Sequence, residues 1–221
     1  MNSPQTMEMP ALRLCLRVAI DEIVEAAEYL DAAATAHLSN DPQLAADLIK
    51  KADIPAITAW ADSMWGSNSE YNRHWKIDGA APAMIRTERD RGRMPTKALQ
   101  AALHARVGYH CRFCGIPVIR TEIRAFLVQK YPDAARWGLT NASKHAALHA
   151  MKAQYDHLLA HSRGGTSDLE NLVVTCGPCN FGRGSHTLEE VRLIDPKTRE
   201  PIRSDWDGLE RLLKVSSLKA N

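Results

Sequence analysis

Two Cys-x-x-Cys pairs, Cys111/Cys114 and Cys176/Cys179, constrain this chain more than any other feature, because residues 115–175 lie between them. Four thiolates from two such knuckles can enclose zinc tetrahedrally at about 2.3 Å per bond. A centre of that kind pins two remote stretches of chain to one point. The competing reading is a redox pair of the thioredoxin kind. It is disfavoured because neither pair is expected to open a helix after a recognisable strand. The long separation exceeds that of a compact zinc ribbon, so an insertion must sit between the halves of the site. The fifth cysteine, Cys15, stands alone within an apolar, helix-like pattern.

Disulfides are the other use of paired cysteines, and the compartment decides between the two. The opening MNSPQTMEMP lacks a basic flank and an apolar core, so no secretory signal is expected there. No apolar run reaches membrane-spanning length, and no membrane association is expected. A cytoplasmic, reducing setting follows as the default, and metal ligation with it. The length of 221 residues suits one good-sized domain or two small ones, with 45% apolar and 24% charged residues as in ordinary globular proteins. The net charge of +2 conceals an asymmetry. Residues 1–60 hold four Lys/Arg against nine Asp/Glu, while the remainder holds 24 against 17. The basic part can approach a polyanion; the acidic front suits a different partner.

Apolar residues at steps of three and four (Leu12, Leu16, Ile20, Ile23, Ala27, Leu30) predict a helix over 11–39. Asp41-Pro42 is an N-cap and first-turn pair opening a second helix to about Ala52. A third is expected over 55–65, with Gly66 as its stop. Residues 1–65 therefore read as an N-terminal helical region, either a separate bundle or a layer packed on the rest. It is a candidate docking surface for a partner protein or a second copy. Residues 66–95 read as a linker or basic arm whose Arg86, Arg89, Arg91, Arg93 and nearby Lys97, set against Glu88 and Asp90, either contact phosphate or pair among themselves. Thr96 caps a helix to about Val107, and residues 96–221 form the remaining domain, with a helical insertion at about 115–153. Within it, 121–131 and 141–152 carry helical periodicity. His145 and His149, spaced i, i+4, are a weak metal candidate and more often an ordinary surface pair. Thr187 with Glu190 is a capping box for a short helix, and Ser204 with Asp207 can start a terminal one.

Between these lies YDHLLAHSRGGTSDLENLVVTCGPCNFGRG. Residues 154–159 predict a strand, Arg163-Gly164-Gly165 a turn, 172–175 the returning strand and Gly177 onward a short helix. Asp156 and His157 then fall on the first strand and Asn180 on the helix. The string Asp156-His157, Gly164-Gly165, Asn171-Leu172 and Cys176-x-x-Cys179-Asn180 resembles the HNH endonuclease family. The likeness covers about thirty contiguous residues plus the upstream Cys111/Cys114 knuckle.

That resemblance implies a mainly α chain with a small ββα-metal (HNH) core, in which an N-terminal helical bundle accompanies a zinc-stabilised nuclease domain. It implies His157 as general base, Asp156 and Asn180 as ligands of a catalytic Mg²⁺ or Mn²⁺, and Asn171 as the residue that buttresses the loop and orients the His157 ring. Cys111, Cys114, Cys176 and Cys179 become the ligands of a structural Zn²⁺. Arg163 and Arg183 are candidate phosphate contacts. The substrate is then DNA, cut to 5′-phosphate and 3′-hydroxyl ends, and the family's habits suggest phage defence, restriction or a mobile element. Asn180 in place of His, and His161 where Pro is common, are departures; His161 and His186 are left unassigned. The rival reading is a zinc-stabilised nucleic-acid-binding or interaction module without turnover.

Overall fold

The computed structural model describes residues 9–65, 69–89 and 92–218. Three helices come first: α1 (Asp21–Leu38), α2 (Pro42–Lys51) and α3 (Pro55–Ser63). Then follow α4 (Lys97–Val107), α5 (Thr121–Lys130), α6 (Ala146–Ala150), β1 (Ala153–His157), β2 (Leu172–Cys176), α7 (Gly177–Arg183) and α8 (Arg211–Leu218). The strands form one antiparallel hairpin in which Asp156 faces Val173 and His157 faces Leu172. The protein is thus mainly helical around a two-stranded sheet followed at once by α7, which is the ββα arrangement.

The helices begin where side chains can satisfy their free amides. Asp41 accepts from Leu44 N at 3.0 Å and Thr96 from Leu99 N at 3.2 Å, and both are followed by the expected helices. Ile23, Ala26, Ala27, Leu30, Ala33 and Ala34 line the buried face of α1, and their small size lets α2 pack closely on it. Trp60 on α3 is buried and donates its indole N–H to Val18 O at 2.7 Å. One hydrophobic core runs from Ile23 and Trp60 through Leu148 to Val174 and Leu209.

Several sequence expectations require correction. The helix predicted from residue 11 begins at Asp21. Residues 9–20 contain no helix, and Arg13 exchanges backbone hydrogen bonds with the 192–194 stretch (Arg13 N to Arg192 O 2.9 Å, Ile194 N to Arg13 O 3.0 Å). Leu12 is consequently exposed and Leu16 buried, which helical periodicity does not separate. Residues 141–152 form a short 3-10 turn (Asn141–Ser143) and the brief α6 instead of one helix. The Thr187/Glu190 capping box makes both its hydrogen bonds, at 2.7 and 3.2 Å, but closes a turn instead of opening a helix. The expected helix stop at Gly66, and Asp90 and Arg91 of the basic arm, lie outside the described residues.

The stretch between α3 and α4 is irregular, as expected, and it is anchored. Trp75 N donates to Glu190 O at 2.8 Å, Met84 N to Ser162 O at 2.8 Å, and Arg163 reaches Ala81 O at 2.6 Å. It therefore runs as a strap along the loop that joins β1 to β2.

The 115–153 insertion leaves and returns at the same place. Ile119 N donates to Met151 O and Ala153 N to Ile119 O, both at 2.8 Å, closing its neck. The first knuckle consequently lies beside the hairpin, with Arg112 N donating to Val174 O of β2 at 2.9 Å.

Candidate active site

The first knuckle is a tight turn in which Cys111 N donates to Ile116 O and Gly115 N to Cys111 O, both at 2.9 Å. Gly115 sits at φ +82°, where an L side chain is strained. The second knuckle straddles the end of β2 and the first turn of α7, with Cys176 as the N-cap residue. This pair does open a helix after a strand, so redox use cannot be set aside for it on the ground that such a junction is lacking. What removes the redox reading is the convergence of all four thiols, whose sulfur atoms lie within 4.8 Å of one another. Cys114 and Cys176 Sγ are 3.6 Å apart. A tetrahedral thiolate centre with bonds of about 2.3 Å has an edge of about 3.8 Å, so the quartet fits a metal ion of that size. Burial leads in pushing the Cys176 thiol well up, and its hydrogen bonds with Cys111 and Cys114 push the same way. Several thiolates cannot share such a space without a cation.

His157 ends β1 and is nearly buried, at 8% exposure. Its Nε2 lies 2.9 Å from Ser167 Oγ, and the Ser167 hydroxyl donates to Arg93 O at 3.2 Å. A hydroxyl has one proton to give. With that proton on the Arg93 carbonyl, Nε2–H of His157 must be the donor to Ser167, and Nδ1 carries the lone pair. Burial, reinforced by His161, Arg93 and Arg183, pushes the ring down to about 4. His161 stands edge-on to it, with ring centroids 5.8 Å apart.

Asp156, beside His157 on β1, is buried as well. Arg183, at the end of α7, grips both its carboxylate oxygens, with Nε to Oδ2 at 2.8 Å and Nη2 to Oδ1. Burial still leads, raising the Asp156 carboxyl against the pull of Arg183. The guanidinium also donates to the carbonyls of His157, Leu158 and His186 and has no exposed surface. A phosphate contact by Arg183, expected from the sequence, has no geometric opening: its donors are occupied internally. A carboxylate has about four lone-pair sites, so the pair leaves Asp156 with acceptor capacity.

Asn171 clasps the loop between the strands. Its Oδ1 accepts from Leu159 N at 2.8 Å, and Nδ2 donates to Leu159 O at 3.0 Å and Thr166 O at 2.9 Å. Gly165 runs so close beneath that an added Cβ would sit 1.7 Å from Leu159 O. Asn171 holds the loop directly, but the His157 ring is held by Ser167. Asn180 is half-buried on α7, one turn before Arg183. Arg163 is tied to Glu190 (2.8 Å) as well as to Ala81 O, so its charge is largely engaged.

Among the described residues, the cysteine quartet is the one group of three or more His, Cys, Asp or Glu side chains whose ligand atoms converge. His145 and His149 do not ligate together. His145 is fully buried as the N-cap of α6, with Nε2 2.8 Å from Ile49 O and Nδ1 accepting from Leu148 N, whereas His149 packs edge-on to Trp65. Sequence reasoning missed Ser167, whose only signal was its place in the polar Thr-Ser-Asp loop. It also missed the Arg93 carbonyl, because a backbone acceptor leaves no trace in a sequence.

No curated protein and no solved structure shows significant similarity to the chain. Residues 143–185, which hold α6, both strands, the clasped loop and α7, match the family model of HNH endonuclease.

Proposed function

We propose that this protein is a metal-dependent endonuclease that hydrolyses phosphodiester bonds of DNA with His157 as general base. The observation that carries the reading is the Arg93 O–Ser167–His157 relay, which leaves a neutral ring with its lone pair on a defined nitrogen. In the proposed step Nδ1 of His157 takes a proton from water, the water oxygen bonds to phosphorus, and the bond from phosphorus to the 3′ oxygen breaks. Asp156 and Asn180 would hold a divalent cation, Mg²⁺ or Mn²⁺, as hard oxygen donors, the rest of its shell coming from phosphate and water. Such an ion would stabilise the departing 3′ oxygen, which has no proton donor of its own. A phosphate anion, opposite in sign to Arg93 and Arg183, would raise the His157 pKa from about 4 toward the working range. The cysteine quartet would hold zinc as a closed structural centre.

Nucleic acid would meet the strap, where the side chains of Arg86 and Arg93 are exposed. The acidic face of α1, with Asp21, Glu22, Glu25 and Glu28, repels a polyanion and suits a partner protein or a second copy. A place in phage defence, restriction or a mobile element rests on the resemblance alone. One observation favours the rival, a binding module without turnover: Arg183 already neutralises Asp156. Plasmid nicking with Mg²⁺ or Mn²⁺ separates the two. Wild type nicks and His157→Ala is slower by about 10²–10⁴-fold, the usual worth of a general base. Equal nicking by the variant would remove His157 from the chemistry.

A further inference from the structure

A concave surface adjoins the ββα unit next to Arg183. It is a cavity of about 650 Å³ between the 69–76 stretch and residues 181–186, within the roughly 300–1,000 Å³ typical of small-ligand sites. Its walls are cationic and aromatic. Arg73, His74 and Lys76 are exposed on one side, and Phe181 shows 56% of its surface on the other. The Phe181 and Trp65 rings stand edge-to-face, 6.1 Å apart at 86°, so at most one face of Phe181 is taken by Trp65. His74 stacks on His186 at 4.0 Å and 19°, joining the two walls. No described lining residue is a carboxylate. The buried Arg183 that grips Asp156 lies next to the cavity, and Phe181 directly follows Asn180.

Exposed π-faces beside cations, with no acid among them, recognise unpaired nucleotides: bases stack on the rings and phosphates track the charges. Bases inside an intact duplex are already stacked and offer no face to Phe181. We propose that this cavity is a subsite for a single-stranded stretch of nucleic acid flanking the cleaved bond, with the base on Phe181 and the His74/His186 stack and the phosphates on Arg73 and Lys76. The substrate would then be an unpaired or partly unpaired strand in preference to continuous duplex. This rests on the nuclease reading for the word "cleaved", but its binding chemistry does not require turnover.

The test is fluorescence anisotropy on the whole zinc-loaded chain without Mg²⁺ or Mn²⁺, using labelled oligo-dT and a mixed-sequence duplex of equal length. Expected is tighter binding of oligo-dT than of duplex. Phe181→Ala should weaken oligo-dT binding by about tenfold or more, as loss of one base–aromatic stack does, and leave duplex binding unchanged. Lys76→Ala should reduce the slope of log K against log salt by about 0.7, one single-strand phosphate. Thermal melting of both variants verifies folding, and neither side chain is buried. Equal binding of the two probes, or oligo-dT affinity untouched by both substitutions, overturns the subsite. Nicking without strand preference sinks the subsite and spares the nuclease; Phe181-dependent binding without any nicking does the reverse.

Discussion

At the residue scale, the site combines His157, whose ring is held through Ser167 to a backbone carbonyl, with Asp156, whose carboxylate is gripped by one arginine. Ser167→Ala removes the acceptor of Nε2–H, and the two His157 tautomers then compete. Single-turnover cleavage should fall by about tenfold, at the low end of general-base effects, with substrate affinity unchanged. A loss confined to affinity would assign Ser167 to binding instead. Arg183→Ala leaves Asp156 buried and unpaired, which should cost about 3–5 kcal/mol in urea unfolding. The double variant Asp156→Asn/Arg183→Met should recover part of that loss, because no charge then lacks a partner. Near-additive behaviour would show the pair to be energetically loose. Asp156 and Arg183 stand 27 positions apart in sequence, and nothing in the local pattern separated an arginine facing phosphate from one facing the interior.

At the scale of elements, the ββα unit was legible because its determinants are local. The strand pattern, the Gly164-Gly165 turn and the Cys176 cap each act over a few residues, and the hairpin follows within one or two positions of expectation. Helix α6 was misread because the Ala-rich run looks helical whatever caps it, and His145 interrupts it as N-cap to reach Ile49 O on α2. Burial holds the His145 imidazole below its ordinary range and therefore neutral. In the unfolded chain a histidine binds a proton below about 6.5, so the unfolded state takes up more protons there and stability falls as pH drops through that value. Melting temperature should decline from neutral pH toward pH 5, and His145→Gln should flatten the decline while lowering the midpoint. An unchanged pH profile in the variant would transfer the effect to another buried histidine, such as His104.

At the scale of the whole molecule, the insertion joins the HNH core to the N-terminal helices. Arg136 pairs with Asp53 at 2.6 Å, Asp53 also accepts from Ala146 N, and Trp65 packs between His149 and Phe181. Gly182 permits the same contact from α7, since a Cβ there would meet Leu16 at 2.7 Å and Met64 O at 3.0 Å. Zinc bound by the four cysteines would add a further link between the two halves of the core. Apparent folding energies of structural zinc reach about 10–16 kcal/mol. Stripping zinc with a chelator in mild denaturant should abolish the cooperative melting transition. Mg²⁺ alone should not restore nicking, and Zn²⁺ followed by Mg²⁺ should. Restoration by Mg²⁺ alone would mean that the cysteine centre is dispensable to the fold.

What the sequence by itself determined is what short spacings encode: two thiol knuckles, a strand–turn–strand–helix unit, and the places of Asp156, His157, Asn171 and Asn180 along it. These follow from local geometry, since a turn, a cap or a knuckle is closed by residues a few positions apart. The tertiary structure alone decided what depends on remote partners. It set residues 9–20 against 192–194, hid Arg183 behind Asp156, laid the 69–89 strap along the β1–β2 loop and placed the Arg93 carbonyl on Ser167. Burial and backbone pairing between distant segments carry no local signature, because a buried arginine and an exposed one are the same residue until the chain around them folds.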